Sequence, residues 1–439
     1  MPIEIKHNLR YDDGAVGETI TTVEDSSWSC ASFNVSNKNT YIVSFYSAHK
    51  ADVPYIYLCD ENDSIKKIIT ANTASTKNDI TFTIDDKSVS KVCVRSLNNS
   101  TGSIKVMQTV DVNSNIDMNL LKQLKVNIVT PNKYSAWPML GIAKGKLVCL
   151  YTVADQHSAT ESGIFMKSSS ANGTTWSEGK EIFTDKTGVK GITGTGNDSK
   201  GNMLIWYRNG KPGAWQTTHE LYKTNGDKVV LVSLPNFALR GGHIGNIFSV
   251  PGKGLFAFYN TYGNTRSWGI LTSTDDGVTW KQTPIETDVP KAECPVEIDG
   301  IYIDDGKILA LGRKDANEGT IAMFQIQSSD FGKTWTKKYT NITDALGSSP
   351  SIIYDLKSGK ISLYFFARTT GQLKRREVNY KDVWNAPQKW SDSEILVSET
   401  ARGQDTGNVK TVAINGLHIA TYYAGTPTTT GVYGVIIKQ

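Results

Sequence analysis

At 439 residues the chain exceeds the length that one hydrophobic core usually serves, so two domains are expected. Its 47 Lys and Arg against 43 Asp and Glu leave a formal charge of +4, and no basic run or cationic amphipathic stretch concentrates it. Charge therefore gives no reason to expect nucleic acid as a partner, and no apolar run reaches the length needed for membrane insertion.

The opening Met1-Pro2-Ile3-Glu4-Ile5-Lys6-His7-Asn8 lacks the basic-then-apolar pattern of an export signal. That points to synthesis in a cytoplasm, or to a signal already trimmed. Residues 1–110 then read as short alternating strands over Thr19–Val23, Ser29–Val35, Tyr41–Tyr46, Tyr55–Cys59, Ile80–Ile84 and Lys91–Arg95, separated by polar breaks. This is the pattern of an accessory β-sandwich. Trp28, Tyr46, Tyr55 and Tyr57 are candidates for a sugar-stacking platform, against the alternative that they are core. The five cysteines, Cys30, Cys59, Cys93, Cys149 and Cys294, form no CxxC pair and no metal spacing, and sit in strand-like runs. Free buried thiols are expected, with no metal and no cofactor. Residues 111–124 are polar and then briefly periodic at Ile116, Met118, Leu120, Leu121 and Leu124, which predicts a linker ending in a short helix.

Residues 125–439 are organised by a repeated phrase. Ser273-Thr274-Asp275-Asp276-Gly277-Val278-Thr279-Trp280 and Ser328-Ser329-Asp330-Phe331-Gly332-Lys333-Thr334-Trp335 share S-x-D-x-G-x-T-W, and Ser169 to Trp176 matches except for Ala171 at the Asp position. A strand ends at the Ser, the Asp accepts turn amides, Gly supplies a positive φ and the Trp packs back as the next strand begins. Trp335 follows Trp280 by 55 residues and Trp280 follows Trp176 by 104, two steps of about 52, which is the period of a four-stranded propeller blade. Trp390 stands one step further on, and Thr224-Asn225-Gly226-Asp227 fills the missing step, so five turns define five blades and the tail supplies a sixth. The last blade has three strands of its own, Asn408–Ile414, Leu417–Tyr423 and Val432–Ile437, and Lys125–Val129 is expected to complete it.

This turn is the Asp-box, and the chain from about Leu124 to Gln439 resembles the six-bladed β-propeller of the sialidase superfamily. The expected fold is all-β, a sandwich followed by that propeller. Asp-boxes lie on the outer rim and specify a scaffold rather than an activity.

Candidates for chemistry lie at strand ends that face a propeller's central mouth. Arg208, Arg313 and Arg368 close Trp206-Tyr207-Arg208, Leu311-Gly312-Arg313 and Phe366-Ala367-Arg368, and converging guanidinium groups make a bidentate clamp for a sugar carboxylate. His243, in Gly241-Gly242-His243, begins an inner strand. The resemblance implies more. Glu293, in Ala292-Glu293-Cys294-Pro295, falls where the family keeps the carboxylate that activates its tyrosine nucleophile, Arg313 on the second carboxylate-binding arginine, and Arg368 on the third. The family's first-blade Arg-Ile-Pro is replaced by Ala136-Trp137-Pro138, and Arg402–Asn408, where the nucleophile would lie, contains no Tyr. Ordinary exosialidase activity is therefore not expected. Asp155, Glu293 and Asp405 remain as carboxylates that could act in pairs on water, the inverting arrangement, with Trp137 stacking on a sugar.

Three functions stay open. One is a bacteriophage tail-spike or receptor-binding protein, made in the host cytoplasm, carried in the virion with other tail components as a homotrimer, and binding or hydrolysing an acidic cell-surface polysaccharide. The stretches Ser348–Asp355, Gly371–Arg376, Asp405–Val409 and Ala420–Tyr423 resemble those of tail-fibre propellers. The second is a secreted bacterial glycoside hydrolase of sialidase type; the third is a lectin-like propeller without catalysis.

Overall fold

The computed structural model describes residues 4–11, 18–19, 22–35, 40–46, 54–70, 77–97, 105–109, 123–157, 162–169, 172–183, 189–210, 217–237, 239, 241–315, 322–345 and 347–439. Strand is the dominant element among them and helix is confined to a few short turns, in agreement with the all-β expectation. Packing divides the chain into two compact units, Met1–Val126 with Lys438, and Asn127–Ile437 with Gln439. The helix expected in 111–124 falls mostly on residues outside the described ones, but Gln123 and Leu124 already belong to a strand.

The first unit has a five-stranded sheet in the order Glu4–Tyr11, Thr22–Asn34, Lys91–Leu97, Pro54–Cys59, Ile65–Thr70, and a set in which Thr40–Tyr46 pairs with Lys77–Thr83 and Lys105–Thr109. Glu4–Tyr11, Ile65–Thr70 and Lys105–Thr109 were not expected from the sequence. Cys30, Tyr57, Cys59, Ile65 and Cys93 pack together in its core. Tyr57 is fully buried and so cannot stack on a sugar; the side chains of Trp28, Tyr46 and Tyr55 lie outside the described residues. All five cysteines are free and buried, as expected.

The second unit is a succession of antiparallel meanders. The first sheet runs Gln123–Ala143, Lys146–Ala154, Gly163–Ser169, Lys180–Phe183; the second Val189–Asn197, Met203–Gly210, Thr217–Asn225, Lys228–Ser233; the third His243–Val250, Gly254–Asn260, Thr265–Ser273, Lys281–Pro290. The fourth runs Val296–Tyr302, Ile308–Arg313, Phe324–Ser328, Thr336–Tyr339, and the fifth Ser351–Asp355, Lys360–Ala367, Gln372–Asn379, Glu394–Ser398. The last group, Thr406–Ile414, Leu417–Gly425 and Thr430–Lys438, borrows its fourth member, because Thr430–Lys438 pairs with Gln123–Ala143 and so joins the last group to the first sheet.

Second strands are continuous apolar runs, such as Leu255-Phe256-Ala257-Phe258-Tyr259 and Ile361 to Ala367, because neighbouring sheets cover both of their faces. The core is accordingly a series of layers. Val148, Leu150, Met166 and Ile205 fill the layer between the first and second sheets, Leu204, Trp206, Leu221 and Ala257 the next, and Phe256, Phe258, Ile308 and Ile326 the one after.

The repeated turns fold as the sequence predicts and do one thing more. In the third sheet, Asp275 Oδ1 accepts from Ser273 Oγ at 2.9 Å and from the Thr279 amide at 2.8 Å, while Trp280 Nε1 donates to the Gly277 carbonyl at 2.9 Å. Asp330 makes the same contacts in the fourth sheet, at 2.8 Å to Ser328 and 2.9 Å to Thr334, with Trp335 Nε1 3.0 Å from the Gly332 carbonyl. Gly277 and Gly332 have φ of +92° and +81°, open to glycine at no steric cost. In the first sheet Asn172 replaces the missing Asp, accepting from the Thr174 amide at 3.3 Å. The indoles then reach the preceding sheet: Trp280 lies 5.1 Å from Trp206, and Trp335 lies 5.1 Å from Phe258. Each turn is thus a clasp between sheets as well as within one.

Candidate functional site

The far ends of the same strands form a polar cavity. In the third sheet Leu255 pairs with Ser273 at the clasp, and Asn260 pairs with Trp268 and His243 at the opposite end. The fourth repeats this, with Ile308 opposite Ser328 and Arg313 opposite Val296. Near that end the first strands are bulged: the register slips around Trp137, at Thr193, at Gly245-Asn246, at Glu297-Ile298 and at Asn408-Val409. A bulge turns an extra side chain out of the ladder. Trp137, Glu297 and Asn408 sit there at φ of +51°, +51° and +47°, a costly conformation for residues with a Cβ that concentrates at functional sites.

The cavity measures about 430 Å³, within the roughly 300–1,000 Å³ common for small-ligand sites. Arg208, Arg313, Arg368, Trp137 and His243 all line it, so the structure brings together the five residues singled out for substrate contact. Thr193, Tyr262, Glu297 and Asn408 complete its polar wall.

The three arginines are not equivalent. Arg313 is 12% exposed and is held by Glu297 at 2.6 Å and Asp315 at 3.1 Å. Arg368 meets no carboxylate among the described residues; its Nε donates to the Thr406 carbonyl at 2.9 Å and its Nη2 to Asn408 Oδ1 at 3.5 Å. Arg208 makes no hydrogen bond or ion pair among the described residues. Two guanidinium groups are therefore available to an anion.

Glu297 is the carboxylate of this cavity. Besides Arg313 it accepts from Ser349 Oγ and, at 3.4 Å, from Tyr262 Oη, while its amide donates to Asn260 Oδ1 at 2.9 Å. Burial pushes its pKa up, but Arg313 outweighs burial and holds the carboxyl well below the usual carboxylate range. Burial raises the Tyr262 phenol to about 12. Burial likewise lowers His243 to about 4, aided by Arg208, so its ring is neutral at pH 7. Beneath the cavity, Lys410 and Asp299 pair at 3.0 Å.

The three catalytic candidates lie elsewhere. Glu293 is exposed at the end of the short 3-10 turn Lys291–Glu293, where both of its carboxylate oxygens accept from Tyr339 Oη on an outer strand, at 3.0 and 2.9 Å. The inner strand starts only at Val296, so the bulge, and with it the carboxylate beside Arg313, belongs to Glu297. Asp155 is exposed in the bend after Ala154; its neighbour His157 is the one that lines the cavity. Asp405 is 7% exposed and accepts from Tyr134 Oη at 3.1 Å. The same hydroxyl lies 2.8 Å from His157 Nδ1, so Asp405 is linked to His157 through Tyr134 and is not among the residues that line the cavity. An inverting pair of carboxylates is absent: among the described lining residues only Glu297 carries one. The missed signal for Glu297 was the hairpin itself, since counting back from Arg313 through Asp304-Asp305-Gly306 reaches Val296 and Glu297 before Glu293. Tyr262, on the loop after Asn260, carried no local signal. Among the described residues no three His, Cys, Asp or Glu side chains group as metal ligands, and no helix is long and apolar enough to cross a membrane.

No family model matches the chain, and no curated protein is similar enough in sequence to match. Solved structures do match. A Dyadobacter fermentans protein of unknown function aligns with a TM-score of 0.59 at 16% identity, covering 73% of this chain and all of its own. The NanB sialidase of Streptococcus pneumoniae aligns at 0.56 and 11% identity, covering 93% of this chain and 97% of its own. The fold is of sialidase type. The phage phi92 endosialidase shares it, at a TM-score of 0.52 and 10% identity, over 76% of this chain and 71% of its own. At these identities the likeness is one of fold.

Proposed function

We propose that the six antiparallel groups close as a six-bladed propeller whose mouth binds an acidic glycan through Arg208 and Arg368. The observation that carries this is that neither meets a carboxylate among the described residues, in a cavity where Arg313 is already neutralised by Glu297. A sugar carboxylate between two free guanidinium groups gains paired, charge-assisted hydrogen bonds. Trp137, half-buried at the cavity wall, offers a ring to the apolar face of a pyranose. The solved sialidase and endosialidase of the same fold support a glycan as the ligand class. The reading extends to a tail-borne receptor-binding role, for a fold that a phage endosialidase shares, in which three copies would multiply weak contacts with a surface polysaccharide.

Calorimetric titration with sialic-acid and uronic-acid oligosaccharides, alongside their carboxyl-reduced counterparts, tests the proposal. Binding confined to the acidic forms and lost in Arg208→Ala is expected; equal binding of the reduced forms would sink it. A second reading, cleavage of the bound glycan, rests on the Tyr262 hydroxyl 3.4 Å from Glu297 in the same cavity. Release of reducing ends that stops in Tyr262→Phe would favour it. Chains recovered at full length would leave recognition as the function.

A further inference from the structure

The arginine cavity continues into a second, smaller space. A chamber of about 30 Å³ adjoins it, and Met139, Thr193, His243, Glu297 and Asn408 line both. Two observations fix the chemistry of this chamber. The first is that its charged groups already have partners within the protein. Glu297 is held by Arg313 at 2.6 Å and Lys410 by Asp299 at 3.0 Å. Its amides and hydroxyls are largely answered too: Asn246 bonds the Gly300 carbonyl and amide at 2.8 and 2.9 Å, and Ser349 donates to Glu297.

The second observation is what is left over. Thr193 Oγ1 and His243 Nδ1, both in the chamber wall, are buried with no partner among the described residues, and Thr193 as a whole is only 5% exposed. The first strands of the second and third sheets run so close here that a Cβ on Gly194 would meet the Gly245 carbonyl at 1.9 Å, which brings the two groups to one stretch of wall. A larger cavity, of about 710 Å³ between the first and second sheets, has no side-chain polar atom buried without a partner among its described lining residues. Unanswered hydrogen-bonding groups, rather than size, therefore mark the chamber as a place for a ligand.

We propose that the chamber is a subsite for an uncharged hydroxymethyl arm of the glycan. This rests on the glycan reading of the mouth that it adjoins. One water-sized group needs about 10–15 Å³, so the chamber admits about two, the carbon and the oxygen of that arm. An acetamido group is too large, and the paired charges leave nothing to attract an ion. A hydroxyl both donates and accepts, so it can answer the Thr193 hydroxyl and the His243 ring whichever nitrogen of the ring carries the proton. A ligand without the arm leaves both groups buried and unpaired, which is the basis of discrimination.

Matched sugars test this by calorimetric titration of the full-length protein. Glucuronosyl-glucose and glucuronosyl-xylose differ by one hydroxymethyl group, and a sialyl oligosaccharide differs from its 9-deoxy counterpart by one hydroxyl. In the pair whose acid the mouth accepts, the member with the complete arm should bind at least about tenfold more tightly. Thr193→Val, which keeps the shape and removes the hydroxyl, and His243→Phe, which keeps a ring, should each reduce that preference to about threefold or less. Thr193→Val should leave Tm unchanged, because the hydroxyl holds nothing in the fold. A reduced preference in either folded variant sustains the proposal. Equal affinity within both pairs, or a preference unchanged in both variants, overturns it. The two readings fail separately: carboxyl-reduced sugars that bind as tightly as the acidic ones and keep the preference sink the arginine clamp alone, acidic binding without the preference sinks the chamber alone, and no binding of any member sinks both.

Discussion

The two ends of the same strands obey opposite rules. At the clasp end the repeated geometry is closed by the chain itself: Asp275 and Asp330 each close hydrogen bonds within four residues of themselves, and in each turn a glycine shares the positive φ with the residue before it, Asp276 or Phe331. At the mouth the positive φ falls on Trp137, Glu297 and Asn408, and among the described residues His243 Nδ1 and Thr193 Oγ1 are buried without partners and two arginines face no carboxylate. Unanswered groups lower stability, and they are also what a ligand can satisfy. The contrast teaches that this fold keeps its stability at one end and its chemistry at the other.

The sharpest way to break the contrast is to remove the free charges. Arg208→Ala combined with Arg368→Ala should weaken acidic-glycan binding by about 100-fold or more, with Tm nearly unchanged, because neither side chain holds a buried carboxylate. Glu297→Gln should act on both counts. It strands the buried Arg313 beside Asp315 alone and should lower unfolding stability by about 2–3 kcal/mol in denaturant titration. At the clasp end, Asp330→Ala should cost about 1 kcal/mol and leave glycan affinity untouched. Burial works against ionisation at Asp330, but bonds from Thr334 and Ser328 hold it at about 2, below its ordinary 3.8. Its contribution is thus complete above about pH 4 and lost between there and pH 2, and the variant should lack that acid limb.

Histidines sharpen the comparison on the pH axis. Burial lowers His219 to about 3 and His243 and His418 to about 4, from an ordinary 6.5. Between pH 6.5 and 4 the unfolded chain takes up protons that the folded one refuses, so stability should fall as the solution is acidified through this window. His243→Asn should flatten part of that slope in unfolding curves measured at several pH values. The smallest effect is expected at Glu293→Gln, whose exposed carboxylate is bonded to Tyr339 on an outer strand; binding within about twofold of the parent would confirm that it lies outside the site.

The clasps were legible because their chemistry is local. S-x-D-x-G-x-T-W contains its own donors, acceptors and φ requirement, so its fold and its period could be read from residues in sequence. Arg208, Arg313 and Arg368 were legible for a related reason: each closes an apolar run, and a strand's end is visible where the run stops. The carboxylates were not. Glu293 and Glu297 are both acidic residues close to Cys294-Pro295, and only the bulge between Val296 and Asp299 decides which one turns inward. Asp405 looked like a site residue but is buried behind Tyr134, a contact spanning most of the second unit.

By itself, then, the sequence determined an all-β chain with repeated clasped meanders, its free thiols and its mouth arginines, since each follows from short-range pattern and side-chain chemistry. Tertiary structure alone decided that Glu297 neutralises Arg313 while Arg208 and Arg368 meet no carboxylate among the described residues, that Tyr262 enters the cavity, and that a further cavity of about 710 Å³ opens between the first two sheets. Those facts depend on register shifts and on contacts between different sheets, where a displacement of one residue reverses the direction in which a side chain points.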